Sequence, residues 1–215
     1  MTAARRVLGW TMDMAAPLPG VDLCPVSSVS VLLLKPEYGS DPRSVLRWQL
    51  RLFETGREFL PVAPSSTLHE REGIAFTEAH AVQIAAELAQ IAGRAQLTVA
   101  MTWQGVDTAP APASNGQAWL RARRQTKAAS DLRRQQAERF LADCTSAGGQ
   151  VSIRHRQNRV ECDLLIPRNG WKAAVSRIKT LAAGATADTG HLTVSGPWPP
   201  FSFVQPFWGK TDPVI

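Results

Sequence analysis

The sequence is poor in the residues that build metal centres, disulfide frameworks and membrane spans. Its three cysteines, Cys24, Cys144 and Cys162, are odd in number and form no CxxC pair, which fits neither a disulfide framework nor a zinc site. They read as buried thiols. The four histidines, His69, His80, His155 and His191, fall in separate segments without HExxH spacing, so a metal site would need unrelated ligands to converge. No apolar run approaches the roughly 18 to 20 residues that span a bilayer. The longest, Val31 to Leu34 and Leu164 to Ile166, have strand length. Arg5 and Arg6 precede Val7, Leu8, Gly9 and Trp10, but Asp13 interrupts that stretch before it reaches signal-peptide length. There is no GxGxxG or Walker loop. Ser65 and Ser66 near His69, or Asp163 beside Cys162, lack the spacing that would supply a base, an orienting group and oxyanion donors. The expectation is a cytoplasmic protein that is not an enzyme, with no cofactor, no metal and no membrane partner.

What is present is ordinary globular material, 44% apolar and 20% charged, enough for a packed core. The net charge of +6 and the pI near 9.8 raise the question of nucleic acid. Much of the excess lies between Arg121 and Arg139, where seven basic residues (Arg121, Arg123, Arg124, Lys127, Arg133, Arg134, Arg139) face two acidic ones, Asp131 and Glu138. Such a segment can track phosphates, meet acidic protein surfaces, or simply be a solvated face. No aromatic cluster or RNA-binding signature accompanies it, so no nucleic acid is expected.

In the first half, Ala4 to Met12 and Val29 to Leu34 read as strands, the second buried on both faces. Asp41-Pro42 starts a helix to about Thr55, with Leu46, Leu50 and Phe53 on one face and Gly56 closing it. Thr77 reads as the cap of an amphipathic helix carrying Ala81, Ile84, Ala85, Leu88, Ile91 and Ala92. Gly93 stops it, and Ala95, Leu97, Val99, Met101 and Trp103 then alternate as a strand with one buried face. Two helices and at least three strands imply a small α/β sandwich over residues 1–104.

Residues 105–116 (GVDTAPAPASNG) have no periodicity and read as a linker. The second domain, 117–195, opens with a long helix over about 117–146, with Ala118, Ala122, Ala129, Leu132, Phe140 and Cys144 as a loose apolar stripe. A hairpin follows, Val151 to Arg156 against Val160 to Ile166, turning at Gln157-Asn158. Asn169 can cap a helix carrying Trp171, Ala174, Val175, Ile178, Leu181 and Ala182, and Leu192 and Val194 mark a last strand. The order predicts an α+β unit with helices on one face of an antiparallel sheet. A tail, 196–215, holds Trp198, Phe201, Phe203, Phe207 and Trp208. Its prolines favour an extended, polyproline-like path.

The stretch His191-Leu-Thr-Val-Ser-Gly-Pro-Trp-Pro-Pro-Phe-Ser-Phe203 resembles the signature that ends the gas vesicle protein F/L family. Three further features agree: Gly116-Gln-Ala-Trp-Leu120 leading into the basic helix, the hairpin and helix between Gln150 and Gly184, and Phe59-Leu-Pro-Val62 followed by a helix and a strand ending in Trp103. The resemblance runs from about Phe59 to Val204. After Leu-Pro-Val this chain has Ala63-Pro64-Ser65-Ser66 where the family usually has arginine and Phe-Gly. The resemblance implies a modified ferredoxin-like N-terminal domain, a second α+β domain, and an accessory role in gas vesicle assembly. It implies as partners the hydrophobic major shell protein and other gas vesicle proteins, and association with the vesicle.

On the residues themselves, the binding candidates are the tail aromatics Trp198, Phe201, Phe203, Phe207 and Trp208, which can either cover their own domain or dock an apolar partner, and Arg121 and Arg124 of the basic helix. The alternative is a ferredoxin-like RNA-binding or regulatory module using helix 117–146; a third reading is a passive structural protein of the vesicle wall.

Overall fold

A computed structural model describes residues 5–15, 18–39, 41–66, 68–103, 116–145, 151–156, 159–184 and 190–204. The chain is α+β, with two four-stranded antiparallel sheets. By its internal contacts it divides into two units, Met1–Gln96 with Trp198–Ile215, and Leu97–Pro197. The division falls inside a strand, and the expected linker lies largely outside the described residues.

The first sheet contains β1 (Arg6–Thr11), β2 (Val21–Val26), β3 (Val29–Leu34) and β4 (Leu60–Pro61), in the order β2-β3-β1-β4. Both central strands are buried along their whole length, as a sheet covered on two faces requires. One cover is α1 (Pro42–Glu54), whose Val45, Trp48, Leu52 and Phe53 pack with Leu8, Leu32, Leu34 and Phe59. The other is α2 (Glu70–Ile91), which packs on β1 and β3. Gly73 permits that approach, because a Cβ there would lie 2.5 Å from the Val7 Cγ2 methyl. Trp10 Nε1 donates to Thr77 Oγ1 at 2.7 Å, so the one polar atom of a fully buried indole has a partner.

Three expectations change here. The buried face of α1 is Val45/Trp48/Gln49/Leu52/Phe53 rather than Leu46/Leu50/Phe53, and Leu46 is exposed; Gln49 is buried because its Nε2 donates to the carbonyls of Leu8 and Val62, each at 2.8 Å. Thr77 is not a cap. The helix starts at Glu70, with His69 as its N-cap residue and the His69 backbone N–H donating to Glu72 Oε2 at 3.1 Å, and Thr77 turns its hydroxyl back to the Gly73 carbonyl. The strand β2 was not anticipated, because Pro25 and Asp22 break its apolar pattern at a sheet edge.

The second sheet has the order β6-β7-β5-β8, from β5 (Arg94–Thr102), β6 (Val151–Arg156), β7 (Arg159–Pro167) and β8 (His191–Trp198). Thus β5, read as part of the first sandwich, is a central strand of the second sheet. With α3 (Gly116–Thr145) and α4 (Trp171–Gly184) the element order is βαββαβ, the ferredoxin-like plan. On the helix-covered face, Leu97, Val99 and Met101 of β5, Trp103 just beyond it, and Val160, Cys162, Leu164 and Ile166 of β7 meet Phe140, Leu141 and Cys144 of α3 and Ile178 of α4; Ala100 and Leu165, on the opposite face, are buried as well. The hairpin register is as expected, with Ile153 opposite Cys162; its turn, Gln157-Asn158, lies outside the described residues. Asn169 sits inside a 3-10 turn, Arg168–Gly170, that leads into α4.

Candidate partner-binding surfaces

The tail aromatics start on a strand. β8 continues through a cis Gly196-Pro197 bond to Trp198, so this stretch follows the sheet rather than the polyproline-like path expected. Pro199 and Pro200 are buried, and Phe201–Phe203 forms a 3-10 turn closed by Phe201 N–H to the Pro199 carbonyl (2.7 Å) and Phe203 N–H to the Pro200 carbonyl (3.1 Å). Ser202 N–H donates to Gln96 Oε1 at 2.9 Å, and Gln96 is itself buried, which pins the turn. Trp198, Phe201 and Phe203 are half-buried. Phe207 and Trp208 lie outside the described residues.

Arg121 and Arg124 belong to the other unit and are exposed. Of the apolar stripe expected along α3, Phe140 and Cys144 are buried, Ala118 and Ala122 are half-buried, and Ala129 and Leu132 are exposed. Ala137, Phe140, Leu141 and Cys144 are buried, whereas no residue from Gly116 to Gln136 is, and Leu132 is 56% exposed. Trp119 is partly exposed and carries the Arg123 guanidinium over its ring at 5.1 Å.

The far side of the second sheet holds a polar cluster that sequence reading passed over. Asp163, fully buried on β7, accepts from Thr98 Oγ1 at 2.6 Å and pairs with Arg154 Nη1 at 2.6 Å; Arg154 also approaches Glu161 at 3.4 Å, and Arg159 pairs with Glu161. Alternation along β5 and β7 put Thr98 and Asp163 on the non-core face, and that was the signal available.

Of the three cysteines expected to be buried, Cys144 and Cys162 are, whereas Cys24 on the edge strand β2 is half-buried. Burial pushes Cys144 up to about 11 and Cys162 up to about 12, the reverse of what a nucleophile needs. Ser66 and His69 are engaged at the start of α2: Arg6 donates to the Ser66 carbonyl, Ser66 Oγ accepts from Leu68 N–H, and His69 is the N-cap. Among the described residues no group of three or more His, Cys, Asp or Glu side chains is placed to hold a metal. No helix among them is long and apolar enough to cross a membrane.

Two α+β units, the second on the ferredoxin-like plan and the first a modified form of it with the same strand order, define the fold class of the protein. The family described as gas vesicle synthesis protein GvpL/GvpF matches residues 47–205, well over half of the chain. The chain belongs to that family, and its role lies with gas vesicles. Two solved structures are similar to it. The crystal structure of gas vesicle protein GvpF from Microcystis aeruginosa superposes with a TM-score of 0.71 at 13% identity, over 95% of this chain and 100% of that one. That of GvpF from Anabaena sp. PCC7120 gives 0.73 at 12% identity, over 94% and 98%. At such identities the likeness establishes the fold. No curated protein matches the chain.

Proposed function

We propose that this protein is a non-enzymatic accessory factor of gas vesicle assembly. It binds the hydrophobic major shell protein and other gas vesicle proteins while the vesicle forms, and stays in the cytoplasm in association with the vesicle. The observation that carries this reading is the family match across residues 47–205. A very apolar shell subunit has to be kept from self-association until it joins the wall, and a binding protein does that by lending it apolar contact and backbone partners. The half-buried Trp198, Phe201 and Phe203 offer the first. The second comes from strand edges: β6 borders the second sheet and presents Ile153, 44% exposed.

The test is co-purification of tagged full-length protein with the major shell protein, beside a version ending at Val204. Capture by the full chain supports the accessory role, and loss on truncation assigns the contact to the segment holding Phe207 and Trp208. Retention of RNA with no shell protein overturns the reading in favour of a nucleic-acid module.

A further inference from the structure

We propose that the outer ridge of α3 is a docking surface for an acidic, leucine-bearing helix of another protein. The ridge opposite the buried one carries Arg121, Arg124, Ala128, Leu132, Gln135 and Arg139, spaced by three and four, which places them on one side of the helix. All six are exposed. The stripe is about 27 Å long at 1.5 Å per residue.

Its chemistry is segregated. Ala128 and Leu132 form a small apolar centre, with Arg121 and Arg124 at one end and Arg139 at the other. Among the described residues, none of these three arginines has an ion pair; the pair on this helix is Arg134 with Glu138 at 3.4 Å. A helix that is polar nearly all round gains little from its own sequence, because helical stability in proteins comes mostly from packing an apolar face. From Gly116 to Gln136 α3 has no fully buried side chain, and its inner face, Ala118, Ala122, Thr126, Ser130, Arg133 and Gln136, is only half-buried. A second helix laid along the ridge supplies both missing terms. Its apolar side chains cover Ala128 and Leu132 at heptad-like spacing, and its carboxylates meet the arginines at the two ends. Phosphate tracking would leave Leu132 facing solvent or a charged backbone, so the ridge fits a protein helix better than a nucleic acid.

This goes beyond the accessory reading and rests on it only in taking the partner to be a protein. The experiment uses the full chain and fluorescence anisotropy with three labelled probes: a synthetic helix bearing a leucine seam flanked by glutamates, an equally charged helix with glutamine in place of leucine, and a single-stranded RNA of similar length. The expected result is that the leucine-bearing helix binds about tenfold tighter than its leucine-free control. Arg121→Glu combined with Arg124→Glu weakens that binding by about tenfold or more, and Leu132→Ser removes the preference for leucine. Circular dichroism of each variant matches the parent, since the substituted side chains are exposed. Equal binding of the two peptides, RNA binding as tight as the best peptide, or variants that bind like the parent would each overturn the proposal. No shell protein is present in this assay, so its failure leaves the co-purification result standing, and the reverse also holds.

Discussion

The two sheets reach the same strand order by different routes. Each runs second, third, first, fourth, counting strands in the order they enter that sheet. In the second, both crossovers are helices, α3 and α4, and both lie on one face. In the first, the crossover from β1 to β2 spans residues 12–20 and holds no helix among the described residues. Buried Arg57 holds this link, donating to the carbonyls of Asp13 (3.0 Å) and Ala15 (2.8 Å), and Leu18 packs into the α1-side core. The face left over is covered by α2, which follows the sheet instead of crossing within it. The comparison teaches that strand order survives loss of a crossover helix when side-chain hydrogen bonds fix the link and another helix supplies the buried area.

The most damaging way to break the comparison is to remove β5 from the second sheet. A fragment of residues 117–215 keeps both helices and three strands but loses the strand between β7 and β8. It is expected to show no cooperative thermal transition and no dispersed amide spectrum; a folded fragment would show that the βαββαβ plan does not need its first strand.

Next in size is overpacking at the first unit's helix contact. Gly73→Leu drives a side chain into Val7 and is expected to cost about 3 kcal/mol, the upper part of the usual range for overpacking. Calorimetry sharpens the comparison further: two transitions, of which one moves, would mean that the units unfold separately, and a single shifted transition that they unfold together. The second unit's counterpart is Arg154→Ala, which takes away a partner of the fully buried Asp163 carboxylate. Breaking a buried pair from one side costs several kcal/mol, but Arg154 is half-exposed, so about 2 kcal/mol is expected in chemical denaturation.

Local signals were legible in the sequence, and pairings between distant segments were not. Helix α4 came through with its whole packed face, Trp171, Ala174, Val175, Ile178, Leu181 and Ala182, because three-and-four spacing is written within a few turns. The β6–β7 hairpin came through because its partners are neighbours in the chain. The placement of β5 depends on strands more than fifty residues downstream, and nothing in its alternation distinguishes one sheet from the other. The early start of α2 was hidden because Glu70 to Gly73 carries no apolar side chain, and the contact made there is through a glycine. Of the candidate site, the aromatic tail was visible as composition. The half-burial of Trp198, Phe201 and Phe203 was not, since it rests on the bond from Ser202 to Gln96 across the chain. The cationic ridge was present in the sequence, but the exposure of Leu120 and Leu132 shows that α3 has no fully buried side chain before Ala137.

The smallest effect separates two helices that occupy matching places, α1 between β3 and β4, and α4 between β7 and β8. α4 is reached through the 3-10 turn Arg168–Gly170, whereas α1 begins on a side-chain cap: Asp41 accepts from the backbone N–H of Arg43 (2.9 Å) and Ser44 (3.1 Å) and from Ser44 Oγ (2.6 Å). Those bonds, the Ser44 hydroxyl first, hold the Asp41 carboxyl below its ordinary value. A group whose folded pKa is lowered contributes stability that is present above its unfolded pKa and lost as pH falls through the folded one. Asp41→Ala should therefore lower the melting temperature slightly near neutral pH, by less than either substitution above, and parent and variant should converge in acid once the carboxyl is protonated in both states. Replacing Asn169 by alanine before α4 should show no such pH-dependent gap. An equal gap at both sites would mean that the two helices start on equivalent caps, and a constant offset at Asp41 across the pH range would mean that the cap acts through helix propensity rather than charge.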